Sequence, residues 1–200
     1  MIKRALISVF DKSGLEELVK TLGTFDVEIV SSGGTAKKIK ELGYSKLVEV
    51  SDYTGHPESP GGLLKTLHPR IHGGLLLSRD IPEHRTDMDK HGIKPFEMVV
   101  VNLYPFELTV ERGAELLEAA ENIDIGGPTM IRSAAKAALL YGGVAVVTDP
   151  KQYPEIIKQL GENKGEIQKN LVSKLAQTAF RRTSAYDSAI TVYLKKVGKR

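Results

Sequence analysis

The densest cluster of chemically active side chains lies in one short stretch, Gly62–Gly74, which reads GLLKTLHPRIHGG. This stretch holds an amine, a hydroxyl, a guanidinium and two imidazoles: Lys65, Thr66, Arg70, His68 and His72. Proline and glycine interrupt the stretch, so its pattern is that of an irregular loop rather than a regular helix or strand. We therefore expect a loop that binds an anion, with Lys65 and Thr66 as the first contacts.

The two histidines of this stretch raise the question of a metal site. His68 and His72 are four residues apart, a spacing that zinc sites use on helices. Pro69 lies between them, however, and the glutamate of the HExxH motif is absent. The chain also contains no cysteine, which excludes disulfides, thiolate catalysis and zinc–thiolate sites. We therefore predict that the chain binds no metal.

A second cluster, SSGGTAKK, follows an apolar run at residues 27–30. Its hydroxyls and the backbone amides of Gly33 and Gly34 can surround an oxyanion at the start of a helix. The spacing matches neither the GxGxxG fingerprint nor the Walker loop. On these residues alone, an anion site and an ordinary helix-capping turn both stay open. Lys12, next to Asp11, is by itself typical of a solvated surface charge.

Three further side chains could act on a bound ligand. Asp124 precedes the Gly126–Gly127 turn, which could hold its carboxylate near a ligand or use it as a helix cap. Lys136 has small apolar neighbours, a pattern that favours a lysine facing the protein, although a surface lysine is the common alternative. Tyr104 follows an apolar run and could contact a ligand or only pack against the fold.

These side chains must be positioned by regular elements. Five apolar, β-leaning segments predict strands: residues 4–9, 27–30, 47–50, 98–103 and 144–148. Helical patterns alternate with them, which predicts a parallel sheet with right-handed crossovers. Ligands bind outside the carboxyl ends of such strands. Polar clusters lie at or just after three of these ends: Ser8–Lys12, Ser31–Thr35 and Asn102–Tyr104.

The helical signals are uneven along the chain. Ser13 and Glu16 have the spacing of a capping box and predict the start of the first helix. Pro128 suits the first turn of a later helix, whose N-terminus would point its amides at the site. Residues 51–94 show no strong periodicity, which is typical of a functional or mobile segment.

Composition and length limit the class of protein. The 200 residues suffice for one domain, taken as residues 1–200, with a helical C-terminal segment from about residue 151. The formal net charge of +3 is too balanced to predict a nucleic-acid or membrane-surface partner. The chain shows neither a signal peptide nor an apolar run long enough to span a bilayer, so we predict a cytoplasmic protein.

Taken together, the motifs resemble one family. SVFDKSG, SSGGTAK, KTLHPRIHGG, VVNLYPF and DIGGPTMIRSAAK occur in that order, and TAFRRTSAYDSAI follows them. They are similar to the inosine monophosphate (IMP) cyclohydrolase domain, the N-terminal half of a bifunctional purine-biosynthesis enzyme. The resemblance runs from about residue 3 to about residue 195. It implies an α/β fold like that of methylglyoxal synthase, with three α/β/α layers and a mainly parallel sheet flanked by helices.

The resemblance implies a reaction as well as a fold. That reaction closes the ring of 5-formamidoimidazole-4-carboxamide ribotide to give IMP with loss of water, the last step of de novo purine biosynthesis, and it implies no cofactor. The implied partners are the purine ribonucleotide precursor, a second copy in a homodimer, and a transformylase half, either fused or separate. Two alternatives on the same fold stay open: a lyase like methylglyoxal synthase, and a nucleotide-sensing regulatory domain.

Position by position, the resemblance implies two groups of site residues. The catalytic group around the base comprises Lys65, Tyr104, Asp124 and Lys136. The group that binds the phosphate and the rest of the substrate comprises Ser8, Lys12, Ser32, Gly33, Gly34, Thr35, Thr66, Asn102, Gly126 and Gly127. The chain departs from the family pattern twice. Phe10 stands where a serine is common and Leu63 where an arginine is common, so a hydroxyl and a cation are missing.

Overall fold

A computed structural model describes residues 1–197, with only the backbone of Pro60, and shows five strands in one parallel sheet. The strands are β1 (Arg4–Val9), β2 (Glu28–Ser31), β3 (Leu47–Glu49), β4 (Met98–Asn102) and β5 (Ala145–Val147). They lie in the order β3-β2-β1-β4-β5, and each pair is parallel. The predicted parallel α/β fold and all five predicted strands are confirmed, with no strand end shifted by more than one residue.

Helices connect the strands and cover the sheet. They are α1 (Leu15–Thr24), α2 (Gly33–Glu41), α3 (Val50–Thr54), α4 (Pro69–Leu76), α5 (Pro82–His91), α6 (Phe106–Glu111), α7 (Leu116–Glu121), α8 (Gly126–Tyr141), α9 (Tyr153–Glu162) and α10 (Lys169–Val197). Two short 3-10 turns, Pro60–Gly62 and Pro150–Gln152, complete the elements of the described residues. No helix within residues 1–197 combines the length and apolar character needed to cross a bilayer.

Strand order decides where a ligand can bind. The chain moves outward from β1 to β3 and then returns to place β4 on the other side of β1. The loops after β1 and β4 therefore leave the sheet in different directions and open a crevice between them. The register pairs Ser8 of β1 with Val101 of β4, so both strands end at the same level beside this crevice.

The capping box predicted at Ser13 and Glu16 is wrong. The residue before α1 is Gly14, which has the left-handed φ of 69°, and no side chain caps the helix there. The Ser13 hydroxyl instead donates to Asp11 Oδ1 at 2.6 Å, and the Ser13 amide donates to the same oxygen at 2.9 Å. Asp11 accepts both bonds and closes a tight turn, after which Gly14 rather than Ser13 directly precedes the helix.

The expectation of an irregular loop over Gly62–Gly74 is also wrong in part, and the weak periodicity of residues 51–94 conceals three helices. The segment contains α3, α4 and α5, and α4 begins at Pro69 inside the stretch predicted to be a loop. These helices are short, so a 3.6-residue periodicity has little room to show. In α4 the signal reduces to one buried pair four residues apart, Ile71 and Leu75.

The C-terminal segment is helical, as predicted, and it belongs to the same hydrophobic core as the sheet. Leu171, Leu175 and Ala179 lie on one buried stripe of α10. Further along the same helix, the Tyr186 hydroxyl accepts a hydrogen bond of 2.8 Å from the backbone amide of Asp124. The long helix therefore helps to hold a predicted site residue in place. The predicted domain runs to residue 200, and its last three residues lie outside those described.

Candidate functional site

A cavity of about 420 Å³ opens at the carboxyl ends of β1 and β4, where the strand order reverses. This is the edge at which open parallel sheets bind ligands, and the volume suits a small nucleotide. Most of the predicted site residues line it: Ser8, Lys12, Ser32, Gly34, Thr35, Lys65, Thr66, Asn102, Tyr104, Asp124, Gly126 and Gly127. We call this space the edge cavity. Residues from distant parts of the chain therefore meet at one place.

Asn102 holds the loop after β1 rather than presenting its amide to the cavity. Its Oδ1 accepts hydrogen bonds from the amides of Phe10 at 2.7 Å and Asp11 at 2.9 Å. Its Nδ2 donates to the Asp11 carbonyl at 2.8 Å. With both ends of the side chain engaged, Asn102 positions the residues that precede Lys12.

The turn before α2 divides its hydroxyl groups between structure and the cavity. The Thr35 hydroxyl accepts from the Val9 amide and donates to the Val9 carbonyl, each at 3.0 Å, which ties α2 to the end of β1. The Ser31 hydroxyl donates to the Ile7 carbonyl at 2.7 Å. Ser32, directly before α2, caps no amide with its side chain, and it lines the cavity. The groups of this turn that could bind an anion are thus Ser32, Lys12 and the first amides of α2.

Lys65 enters the edge cavity beside the same turn. Its ammonium forms an ion pair of 2.5 Å with Glu58 Oε1, and 25% of the lysine side chain is exposed. Gly33 has a left-handed φ of 54°, and a Cβ atom there would lie 2.7 Å from Lys65 Nζ, so another residue would strain the backbone and displace the lysine. Gly33 does not line the cavity, and its contribution is this clearance. Glu58, which also lines the cavity, was not predicted from the sequence as a site residue, although it lies only seven residues before Lys65.

Asp124 supplies the half-buried carboxylate of the cavity. Burial raises the pKa of Asp124 above its ordinary value, although hydrogen bonds from the backbones of Gly127 and Tyr104 oppose that rise. The Gly127 amide donates to Asp124 Oδ1 at 2.8 Å. A Cβ at Gly127 would overlap the Asp124 carboxylate and lie 2.7 Å from Leu103 Cδ2. The absence of a side chain at Gly127 therefore lets the start of α8 pack directly against this carboxylate.

The prediction that Lys136 faces the same site is wrong for this chain. Lys136 is exposed on α8, ten residues beyond Gly126, which corresponds to about 15 Å along a helix axis. It lines a second cavity of about 520 Å³ together with Arg132, Ser133, Leu139 and Phe180. We call this the helix cavity. The alanines around Lys136 are buried, and their burial turns the lysine outward.

The other polar residues of the Gly62–Gly74 stretch serve the fold. His68 precedes α4, and its Nδ1 accepts from the Arg70 amide at 3.1 Å. The Arg70 guanidinium donates to the backbone carbonyls of His91 and Tyr53 at 3.2 and 3.4 Å. His72 Nδ1 lies 3.1 Å from Ser133 Oγ, and burial lowers the pKa of His72. Within residues 1–197, no three His, Asp or Glu side chains form a group that could hold a metal ion.

Comparison with known families identifies two matching models. The MGS-like domain model matches residues 14–129, more than half of the chain, and the model of the AICARFT/IMPCHase bienzyme matches residues 134–200. The first of these confirms the expected methylglyoxal synthase-like fold. The second model begins within α8 and continues through α10, which packs against α8 and holds the amide of Asp124.

Similar proteins include long bifunctional enzymes and one compact structure. The bifunctional purine biosynthesis protein PurH of Bradyrhizobium diazoefficiens is 49% identical over 195 residues, which cover 98% of this chain and 36% of that protein. Its counterpart in Magnetococcus marinus is 50% identical over 194 residues, with 96% and 36% covered. The chain thus spans about a third of the length of these relatives.

Among solved structures, the crystal structure of ForH matches with a TM-score of 0.81 and 27% identity, covering 97% of this chain and all of that one. The likeness therefore extends over the sheet, the edge cavity and α10 alike. Because the MGS-like domain model covers more than half of the chain, this chain belongs to the MGS-like domain family, and its C-terminal part matches the model of the AICARFT/IMPCHase bienzyme.

Proposed function

We propose that this chain is an IMP cyclohydrolase, an enzyme of purine biosynthesis that closes 5-formamidoimidazole-4-carboxamide ribotide to IMP. The relatives are bifunctional purine biosynthesis proteins by name, which supports a role in that pathway. The observation that carries the proposal is the placement of Lys65 and Asp124 in one cavity with the anion-binding turn at Ser32.

The substrate's phosphate would bind at the polar end of the edge cavity. Ser32 and the amides at the start of α2 offer hydrogen bonds and partial positive charge, and Lys12 adds a full charge. Thr35 contributes by fixing this turn to β1, because its hydroxyl is already bonded to Val9. The imidazole ring would then lie toward Tyr104 and Asp124, which line the same cavity.

The ring closure is intramolecular, so the cavity must select the conformer in which the carboxamide nitrogen faces the formyl carbon. A carbon–nitrogen bond forms between these atoms, and the formyl oxygen leaves as water. One hydrogen of that water comes from the carboxamide nitrogen and the other from the formamido nitrogen. The two proton transfers and the developing oxyanion are what the protein must assist.

Asp124 suits the role of proton acceptor for the carboxamide nitrogen. Its raised pKa makes it a stronger base than an exposed aspartate, and its position is fixed by Gly127 and Tyr186. Lys65 is the charged donor for the developing oxyanion, and such a donor is worth about 3 kcal/mol. Tyr104 assists proton transfer to the departing oxygen, a step that Lys136 cannot serve from its place in the helix cavity.

A transformylase is the partner that this proposal requires, because the substrate must first receive its formyl group. The relatives named bifunctional are nearly three times as long as this chain. We propose that a transformylase, fused or separate, supplies the formylated ribotide.

The direct test mixes the purified chain with the formylated ribotide and follows the ultraviolet absorbance of the purine product. We expect IMP to form, at a rate proportional to protein concentration. A parallel incubation with dihydroxyacetone phosphate should yield no methylglyoxal. Methylglyoxal without IMP would replace this function with the lyase alternative, and tight nucleotide binding without either product would favour a sensing domain.

A further inference from the structure

The mouth of the edge cavity carries large apolar side chains that solvent reaches. Phe10 is 49% exposed, Tyr104 51%, Ile125 57% and Leu63 77%, and all four line the cavity. They come from separate segments of the chain, so their meeting is a product of the fold. Exposed apolar side chains gathered around a cavity are typical of a binding surface rather than of scattered surface residues.

Two of these side chains form an aromatic corner, defined here as the rings of Phe10 and Tyr104. Their ring centroids lie 5.1 Å apart and their planes are inclined by 54°. Rings this close leave no room for a third ring between them, so each supports the other, and both line the edge cavity while remaining about half exposed. A flat apolar group can pack against the exposed part of the rings.

The corner is built in advance of any ligand. Phe10 lies in the loop that Asn102 fixes through the amides of Phe10 and Asp11, at 2.7 and 2.9 Å. Tyr104 follows Asn102 by two residues, at the end of β4. One asparagine therefore sets both the loop of the first ring and the strand end of the second. Such preorganisation lowers the entropic cost of binding a ring.

The position of the corner also defines the class of ligand. Phe10 is two residues before Lys12, and both line the same cavity as the anion-binding turn at Ser32. A ligand that binds its phosphate at Lys12 and Ser32 and also reaches the corner would place a flat ring against Phe10 and Tyr104. A sugar phosphate without a heterocycle would reach Lys12 and Ser32 but would leave the corner uncovered.

We propose that Phe10 is a specificity-determining residue of the edge cavity, which with Tyr104 selects phosphorylated ligands that carry a planar heterocycle. The inference rests on the proposed function for the identity of that ligand. It goes beyond that function by assigning recognition of the ring to a residue that departs from the family's usual serine. A serine at position 10 would offer a hydroxyl to the phosphate instead of a ring to the heterocycle.

Binding measurements with two probes test this proposal. Isothermal titration of the wild-type chain with IMP and with ribose 5-phosphate should give a dissociation constant at least about tenfold lower for IMP. Phe10→Leu keeps an apolar side chain but removes the ring. It should raise the dissociation constant for IMP about tenfold and change that for ribose 5-phosphate by less than about twofold.

Two further variants separate stacking from loop damage. Phe10→Tyr restores the ring and should return the affinity for IMP to within about threefold of the wild type. Tyr141→Leu removes an aromatic ring on α8 that does not line the edge cavity, so both dissociation constants should stay at their wild-type values. Circular dichroism melting of each variant confirms that it is folded.

Three results would overturn the proposal. The wild type could bind the two probes equally, Phe10→Leu could weaken both probes equally, or Phe10→Leu could weaken neither. The second result would mean that Phe10 only shapes the Lys12 loop. Failure of the proposed function would look different, because the wild type would then bind IMP with the predicted preference yet form none from the formylated ribotide.

Discussion

Helix α8 borders two cavities of similar size that are built in different ways. The edge cavity, of about 420 Å³, receives the start of the helix and is completed by loops after β1, β2 and β4. The helix cavity, of about 520 Å³, lies along the exposed face of α8, with Leu76 and Phe180 as its only lining residues from elsewhere among those described. Both contain positively charged side chains, so charge alone does not distinguish them.

What distinguishes them is how tightly the charged groups are held. In the edge cavity, Asp124 is bonded at both its backbone and its carboxylate, and Lys65 is paired with Glu58. In the helix cavity, Arg132 lies 5.5 Å above the Phe180 ring and Lys136 extends from an exposed helix face. Catalysis depends on groups held in advance at fixed positions, and we therefore propose the edge cavity as the place of the chemistry.

The largest effect is expected at Asp124. Asp124→Asn keeps an oxygen that can accept from the Gly127 amide but removes the base, so kcat should fall about 10³-fold. The matched control is Asp187→Asn, which changes an exposed aspartate of α10 and should leave kcat unchanged. Steady-state rates of IMP formation measure this effect, and a fall in kcat of less than about fivefold would show that Asp124 is not the base.

The next effect is expected at Lys65. Lys65→Met keeps the aliphatic stem but removes the donor for the oxyanion, so kcat should fall about 10²-fold. Lys37→Met, on the exposed face of α2, is the control for loss of one positive charge. Equal losses in the two variants would show that only the net charge of the protein matters.

Lys12 should affect binding more than chemistry. Lys12→Ala removes one charge from the phosphate end, so KM should rise about tenfold while kcat changes by less than about threefold. Initial rates over a range of ribotide concentrations separate the two parameters. An unchanged KM would remove Lys12 from the phosphate site.

The raised pKa of Asp124 also predicts how the stability of the fold depends on pH. Because its pKa is raised in the folded state, the ionised carboxylate destabilises the fold at pH values above that pKa, and the cost disappears as pH falls through it. Asp124→Asn should therefore melt at least about 2 °C higher than the wild type near neutral pH, with the difference shrinking in acid. A difference that grows as pH falls would contradict the burial of a charged Asp124.

The smallest effect is expected in the helix cavity. Lys136→Ala leaves the edge cavity intact, so both kcat and KM should stay within about twofold of the wild type. The same assay of IMP formation measures both parameters. A loss comparable to that of Lys65→Met would show that Lys136 reaches the reacting atoms in an arrangement that this single chain does not contain.

The sequence predicts well what depends on local pattern. The five apolar segments form strands, because strands buried on both faces need continuous apolar runs. Their alternation with helices predicted that the sheet is parallel. The convergence of Lys12, Ser32, Lys65 and Asp124 followed from motifs that lie at strand ends or resemble one family.

Other features depend on contacts that no local pattern contains. Whether Ser13 caps the helix or only donates to Asp11 depends on the path of the loop, which places Gly14 directly before α1. Asn102 binds a loop more than ninety residues earlier in the chain, and its role follows only from that pairing. The alanines beside Lys136 do indicate burial, but which side of α8 they face depends on the packing of α10.

A crystal structure of the chain with IMP provides the most decisive comparison of the two cavities. We predict that the phosphate will lie within hydrogen-bonding distance of Lys12 and Ser32, with the purine between the aromatic corner and Asp124 in the edge cavity. Nucleotide bound in the helix cavity instead, or an edge cavity left empty at saturating IMP, would contradict the assignment of ring closure to this site.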